Sequence, residues 1–320
     1  MNNKIYMGST LGHDGKYYTP VMANSVELYN NNALGQFITT NGGKLYYVLS
    51  GKVIIADSMN LSKEAEISFP SGTSVVGLLV DDRYIYVYYQ FSQKRYIVKI
   101  DKNGLSTVAT FTHATNEHFV NLDQDGEFIY AAGRNDGKVY KINKSTMTLS
   151  LEIPIYLPVF CLIGGNIIYV WSNQRVIAFN SVTGVQFKIS GVLEGGDPKM
   201  VLSKGKLVAL NELNYSSQII EIDINTFISE TWTPMGSLAS MDLACEEDYI
   251  FIVGNDKGSS SGNLVIIKRS NKVVVKNIRV SDRNATNIHC KHPFIYIGQT
   301  MGAYKNVFQI IGYVKTEGGL

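Results

Sequence analysis

A short apolar run built around an aromatic residue returns eight times along the chain. It reads KIYM at Tyr6, LYYV at Tyr47, YIYVYY at Tyr86, FIYAAG at Tyr130, IIYVW at Tyr169, KLVAL at Val208, YIFIV at Phe251 and FIYIG at Tyr296, with successive spacings of 41, 39, 44, 39, 39, 43 and 45 residues. A period this regular means one supersecondary unit used repeatedly. Such a unit cannot bury its apolar faces alone and must stack on its neighbours. The octets IYMGSTLG (5–12) and IYIGQTMG (295–302) are two copies of the same repeat position at opposite ends of the chain.

Each unit has the same internal order. Residues 116–157 show it as HFVNLDQ, EFIYAAG, KVYKINK and LSLEIPI, with DG, NDG and KSTM between them. These are four runs of β-favouring residues separated by turn signals. The order recurs at 73–113 and 158–190. Four antiparallel strands in forty-odd residues are the unit of a β-propeller blade, so the chain is expected to be all-β. The second strand, nearly continuous in apolar residues, should be buried on both faces between neighbouring blades. The third and fourth alternate more and are expected nearer the rim. Frequent Gly (29), scarce Pro (7) and abundant Tyr (20) suit many short strands and tight turns.

The stretch IYAAGRNDGKVYKINKSTMTLSLEIPI (129–155) resembles the YVTN-type repeat, and IYVWSNQRVIAFNSVTGVQFKIS (168–190) is similar to repeats of the quinoprotein-like propellers. The resemblance implies the propeller fold and is shared by binding proteins and enzymes alike. Two departures matter. The regular Trp and Gly blade signature of quinoprotein dehydrogenases is missing, with only Trp171 and Trp232 present, and no WD dipeptide occurs. No quinone or other cofactor is implied.

Eight markers invite an eight-bladed ring, but strand accounting favours seven. Six units are complete between 36–69 and 239–280, and the last, 286–320, supplies three strands only. An unpaired edge there would invite association. SVELYN (25–30) is expected to pair with VFQIIGYVK and complete the blade, giving a propeller over 25–320 and an N-terminal extension over 1–24. The strand of the first octet must then pair with its own KYYTP hairpin, with a partner chain, or in an incomplete blade, and assembly through residues 1–24 is an expected partner mode.

Charge narrows the partners. Twenty-nine basic and 27 acidic residues leave +2 with no clustered Lys/Arg run, so neither nucleic acid nor an anionic membrane is implied. No secretory signal or stretch of 18 apolar residues appears, which reads as no membrane span and a cytoplasmic or virion setting. Cys161, Cys245 and Cys290 are too few and too far apart for a disulfide framework or zinc module and read as buried thiols.

In a propeller the loops between blades share one face, here called the top, with the loops between second and third strands. Ligands usually sit there. The candidate binding residues on that face are Glu117, His118, Arg134, Asp136, Asp197, Tyr215, Asp256, Asp282, Arg283 and Tyr304. Charged groups beside Tyr suit recognition of a protein or glycan by stacking and hydrogen bonds. HCKH (289–292) does not form a metal pair, because residues three apart on a strand face opposite sides. LDQDGE (122–127) looks like a calcium loop but lacks the rest of the ligand pattern and falls where a hairpin turn is needed. The equivalent acids in DDRY (81–84) and CEEDY (245–249) read as exposed hairpins on the bottom face.

The expected function is therefore a non-enzymatic binding or structural propeller that engages a protein or glycan through its loops. One version, suggested by the Asn- and Tyr-rich texture, is a bacteriophage virion or tail component. The competing expectation is a propeller-type lyase or hydrolase with His118 and Glu117 at the core of a top-face site.

Overall fold

The structure, a computed structural model, describes residues 10–11, 17–21, 25–26, 36–58, 62–92, 94–113, 118–196, 198–213, 216–235, 238–246, 248–256, 261–281, 285–291, 294–299 and 308–316. Every regular element among them is a β-strand. Six four-stranded sheets follow one another along the chain, each in simple antiparallel order. The second sheet runs Ser74–Val80, Tyr84–Phe91, Lys94–Asp101 and Thr107–Thr112, and the third Phe119–Gln124, Phe128–Gly133, Lys138–Asn143 and Thr148–Pro154. The fourth runs Pro158–Gly164, Ile167–Ser172, Arg175–Asn180 and Gln186–Ile189.

The chain gathers into two compact units, 39–240 and 1–38 with 241–320. In the first, successive sheets pack through alternate residues of their strands. Ile129 and Ala131 of the third sheet join Tyr86, Tyr88 and Ile97 of the second, whereas Tyr130 and Ala132 on the other face join Cys161, Ile168 and Val170 of the fourth. The same alternation places Tyr169 and Trp171 against Leu207, Ala209 and Ile220 of the fifth sheet, which runs Lys199–Ser203, Lys206–Leu213, Ser216–Asp223 and Ser229–Met235. Each buried Ile, Val or Leu contributes about 1.5–3 kcal/mol, which is why the second strand tolerates no polar face.

Burial corrects one expectation. The third strand is as buried as the second, with four consecutive buried residues in Lys138–Asn143 and in Lys52–Asp57. Only the outer strand is mostly exposed. Both middle strands are flanked by neighbouring sheets, and the rim begins one strand further out. A second correction concerns the marker of the first sheet. Tyr46, third in Lys44–Leu49 as Tyr86 is third in Tyr84–Phe91, holds the equivalent position rather than Tyr47. A one-residue shift exchanges the two faces.

A repeated turn joins the third and outer strands. Asp101, Asn143, Asn180 and Asp223 each accept two amide hydrogens, from the residues two and three further on, through the side-chain oxygen. The backbone carbonyl of each accepts the N–H of the residue four on: Leu105, Met147, Gly184 and Phe227. Those four residues are left-handed, with φ of 49°, 53°, 70° and 59°. An Asx side chain compensates locally for this strain.

In the second unit, the last sheet is composite. Ala285–Lys291, Phe294–Gln299 and Phe308–Thr316 lie in order, and N-terminal strands continue outward from Phe308–Thr316. Tyr17 pairs with Thr316 through to Val21 with Gly312, and Ser25 and Val26 pair with Gln309 and Phe308. Thr10 and Leu11, from the first octet, pair with Tyr18 and Tyr17 in the KYYTP hairpin. Tyr6 lies outside the described residues. A buried cluster of Phe251, Val253, Leu264 and Ile266 with Ile288, Ile295 and Ile297 packs this sheet on its predecessor.

Candidate functional site

The repeat's own polar residues are largely consumed by architecture. On the turn between first and second strands, Asp81 accepts the N–H groups of Arg83 and Tyr84 at 3.0 and 2.8 Å and the Tyr86 hydroxyl at 3.0 Å. Asp125 does the same with Glu127, Phe128 and the Tyr130 hydroxyl at 2.8, 2.7 and 2.7 Å. LDQDGE is thus an Asx turn that clamps the marker tyrosine of its own sheet. These acids are also less exposed than the sequence implied. Buried Lys144 reaches Asp81 Oδ2 at 3.3 Å and the Asp125 carbonyl at 2.6 Å.

Two buried lysines tie consecutive sheets by one device. Lys99 Nζ donates to the Lys144 carbonyl at 2.8 Å and lies 3.9 Å from the Tyr84 ring centre. Lys141 Nζ donates to the Ser181 carbonyl at 2.7 Å and lies 3.8 Å from the Phe128 ring centre. Each caps the first residue after the next sheet's third strand, with a cation–π contact replacing lost hydration. At the equivalent place in the fourth sheet stands Ala178. There Lys188, directly opposite Ala178 on the outer strand, donates instead to the carbonyls of Ile224 and Asn225.

The predicted top-face residues divide. His118, Arg134 and Asp136 lie on the connections flanking Phe119–Gln124 and Phe128–Gly133. Glu117, Asp197, Tyr215, Asp282, Arg283 and Tyr304 lie outside the described residues, and Asp256 ends the strand Tyr249–Asp256 with only its backbone described. Around His118 the structure assembles an aromatic cluster. Its Nδ1 is 3.4 Å from the Tyr88 hydroxyl, which accepts the Phe119 N–H at 2.9 Å. His113 packs edge-on against Tyr140 and Phe119, at 4.7 and 5.2 Å between ring centres, with Nε2 3.7 Å from Asp136 Oδ2. The Tyr140 hydroxyl also donates to Asp136. The contacts bind one sheet's top loop to the next, and His113, Tyr88 and Tyr140 were absent from the predicted set.

The innermost strands carry several perturbed titrating groups. Asn121 donates to the Cys161 carbonyl at 2.7 Å and accepts its N–H at 2.8 Å, and Asp123 Oδ2 accepts the Ile163 N–H at 2.7 Å, so alternate side chains stitch one inner strand to the next. Asp242 repeats this with Ile288 N–H at 3.0 Å. Burial raises the Asp123 carboxyl to about 6 against the lowering pull of the Ile163 and Gln124 amides. The Cys161 thiol is pushed up by burial and then by Asp123, and Cys290 by burial and then by Glu246, which keeps both thiols protonated. His289, whose ring stacks 6.3 Å from that of Tyr296, is driven down to about 4 by burial and by Lys291. His292 lies outside the described residues. Among the described residues no three His, Cys, Asp or Glu side chains converge as a metal would require.

A groove of about 430 Å³ opens between the third and fourth sheets. Ile177 and Phe179 line it from the third strand of the fourth sheet, Ile189 from the outer strand, and Ile155 and Tyr156 from the connection leaving the third sheet. Half-buried Arg175 also lines it. No hydrogen bond or ion pair joins its guanidinium to any described residue. The turn beside it, Asn173–Gln174, has φ of 44° and 60°. A two-residue hairpin with both centres left-handed ordinarily takes glycine, as at Ser50–Gly51 and Lys204–Gly205. Among the described residues it is the one such pair without glycine. The Ser172 hydroxyl donates to the Tyr156 carbonyl and fixes the groove's opposite lip. Tyr156 is 68% exposed and shares the groove with Ile189, near which in sequence Val185, Phe187 and Val192 are also exposed. The outer strand of the first sheet instead carries Lys63, Glu64 and Glu66 in ion pairs.

No family model matches the chain, and no curated protein matches it by sequence. Solved structures do. BamB from Moraxella catarrhalis is similar over 97% of this chain and 99% of its own, with a TM-score of 0.62 and 13% identity. A computationally designed protein, Ika8, is similar over 90% of this chain and 99% of its own, with a TM-score of 0.64 and 11% identity. The fold is a β-propeller. At these identities the likeness is one of fold, and the propeller carries binding, structural and catalytic roles alike. Among the described residues no helix is long and apolar enough to cross a membrane.

Proposed function

We propose that this propeller is a non-enzymatic binding protein that holds a protein partner at the rim of its fourth sheet. The observation that carries the reading is the apolar groove whose half-buried Arg175 guanidinium pairs with no described residue, lined by exposed Tyr156 and Ile189, with exposed Phe187 two residues before Ile189. Contiguous exposed apolar surface of this kind marks interaction sites. The polar top-face set, from Glu117 and His118 through Arg134 and Asp136 to Tyr304, is a further contact surface in this reading, and residues 1–24 an element of assembly. A bacteriophage virion or tail is one setting compatible with these roles, and detection of the chain in purified particles tests it. The YVTN-type likeness of residues 129–155 fits this reading as a resemblance of repeats.

A photo-crosslinking residue at Phe187, introduced in the source cells, is expected to give one dominant protein adduct. The same residue at Glu64, on the charged rim of the first sheet, is expected to give none. Equal labelling from both positions, or a dominant glycan adduct, overturns the reading.

A further inference from the structure

We infer that the occupant of the groove is an extended peptide segment of the partner, with an Asp or Glu side chain set beside apolar residues. The inference rests on the binding role just proposed and adds the chemistry of the partner. Three features carry it. The volume of about 430 Å³ accommodates a few side chains rather than a folded surface, so the occupant must be narrow. The walls are aliphatic and aromatic: Ile155, Tyr156, Ile177, Phe179 and Ile189. Arg175 supplies a planar fork of donors at the groove with no carboxylate of the described residues to receive them. A half-desolvated guanidinium costs free energy until a carboxylate joins it. The glycine-free left-handed turn at Asn173–Gln174 holds that arginine at the head of its strand. Strained backbone of this kind clusters at ligand clamps and active sites.

The neighbouring cations do not compete for the acid. Lys188, on the same outer strand, is engaged with the Ile224 and Asn225 carbonyls. Lys138 of the third sheet pairs with Glu152 at 2.5 Å. Arg175 is therefore the group that would read the acidic residue, and Tyr156 and Ile189 the groups that would read its apolar neighbours.

The test selects binders from a random peptide library displayed internally in a scaffold, without free peptide termini, on the full-length chain. Enriched sequences are expected to place one Asp or Glu next to aliphatic or aromatic residues. Synthetic, end-capped versions should then lose binding tenfold or more with Arg175→Gln, and likewise when the peptide acid becomes its amide. Ile189→Glu, at a position already 44% exposed and tolerant of polarity, should abolish binding while leaving the thermal transition unchanged. Arg175→Glu should turn the preference toward Lys-bearing peptides. Binders indifferent to Arg175 and Ile189, or binders that need a free C-terminal carboxylate, overturn the inference and leave the binding role standing. Failure of the Phe187 adduct together with an empty selection overturns both.

Discussion

Asp123 offers a sharp test of the inner-strand account. Its carboxyl sits on Phe119–Gln124, accepts the Ile163 N–H at 2.7 Å and is raised by burial from an ordinary 3.8 to about 6. Between those values the folded chain binds more protons at this site than the unfolded chain does. The stability associated with Asp123 is therefore fully present below pH 3.8 and is lost as pH rises through 6. The difference of about 2.2 pH units corresponds to about 3 kcal/mol as an upper bound, and relaxation around the carboxylate reduces the realised value to about 1–3 kcal/mol. Asp123→Asn keeps an oxygen for the Ile163 amide and removes the charge. It should be more stable than wild type by that amount at pH 7–8 and equal to it near pH 4. Urea midpoints at integral pH values from 4 to 8, with unchanged m-values, measure this directly. A gain that is constant across the range, or a wild type that is the more stable at pH 8, refutes the claim that an ionised carboxylate is held there against its burial.

His289 should show the opposite slope. Its ring is lowered from 6.5 to about 4, so stability present above pH 6.5 is lost as acid is added, by up to about 3 kcal/mol, and His289→Gln should flatten that limb in the same titration. Gly195→Ala should cost about 1–3 kcal/mol, because φ is 121° and a β-carbon would fall 1.6 Å from Asn211 Nδ2, and a thermal shift within error of zero would contradict the described loop. Removal of residues 1–26 strips the strands beside Phe308–Thr316 and should produce concentration-dependent association by light scattering; a monodisperse, equally stable chain would show that this edge needs no cover.

Much of the architecture was legible because the strand period and turn chemistry are local properties. The run FIYAAG and its neighbours specify a strand buried on both faces, and Asp125 in LDQDGE specifies a turn, whichever sheet they meet. The series DKNGL, NKSTM, NSVTG and DINTF also repeats an Asx residue four before a left-handed one, a signal finer than the generic turn reading given to stretches such as KSTM. Burial of the third strand was not legible. Lys99, Lys141 and the adjoining Lys144 make those strands look half-solvated, and their ammonium groups reach carbonyls and an acid 40 to 63 residues away in other sheets. The top-face set contains His118 and Asp136 but gives no reason for their clustering, since Tyr88 and Tyr140, which hold them, read as core. The groove is harder still. Ile155, Arg175 and Ile189 come from three elements of two repeats, and none of them departs locally from the pattern of its own strand.

The same packing bears on the fourth sheet, whose rim carries exposed Val182, Val185, Phe187, Ile189 and Val192. Where the second and third sheets take their capping lysine from the third strand, the fourth has Ala178 and recruits Lys188 from the outer strand. That lysine is turned toward the fifth sheet, so its charge no longer guards the edge it sits on, and Val185, Phe187 and Ile189 face solvent around it. Edge strands ordinarily rely on charged residues to resist pairing with other chains. In the proposed reading, the architectural duty of Lys188 leaves this edge uncovered and, with Arg175 joined to no described residue, makes this rim the docking place for a second chain. Ala178→Lys with Lys188→Thr would restore the arrangement of the second and third sheets, and because it leaves Arg175, Phe187 and Ile189 in place the binding reading expects this double variant to keep its partner, whereas Ile189→Glu by itself loses it.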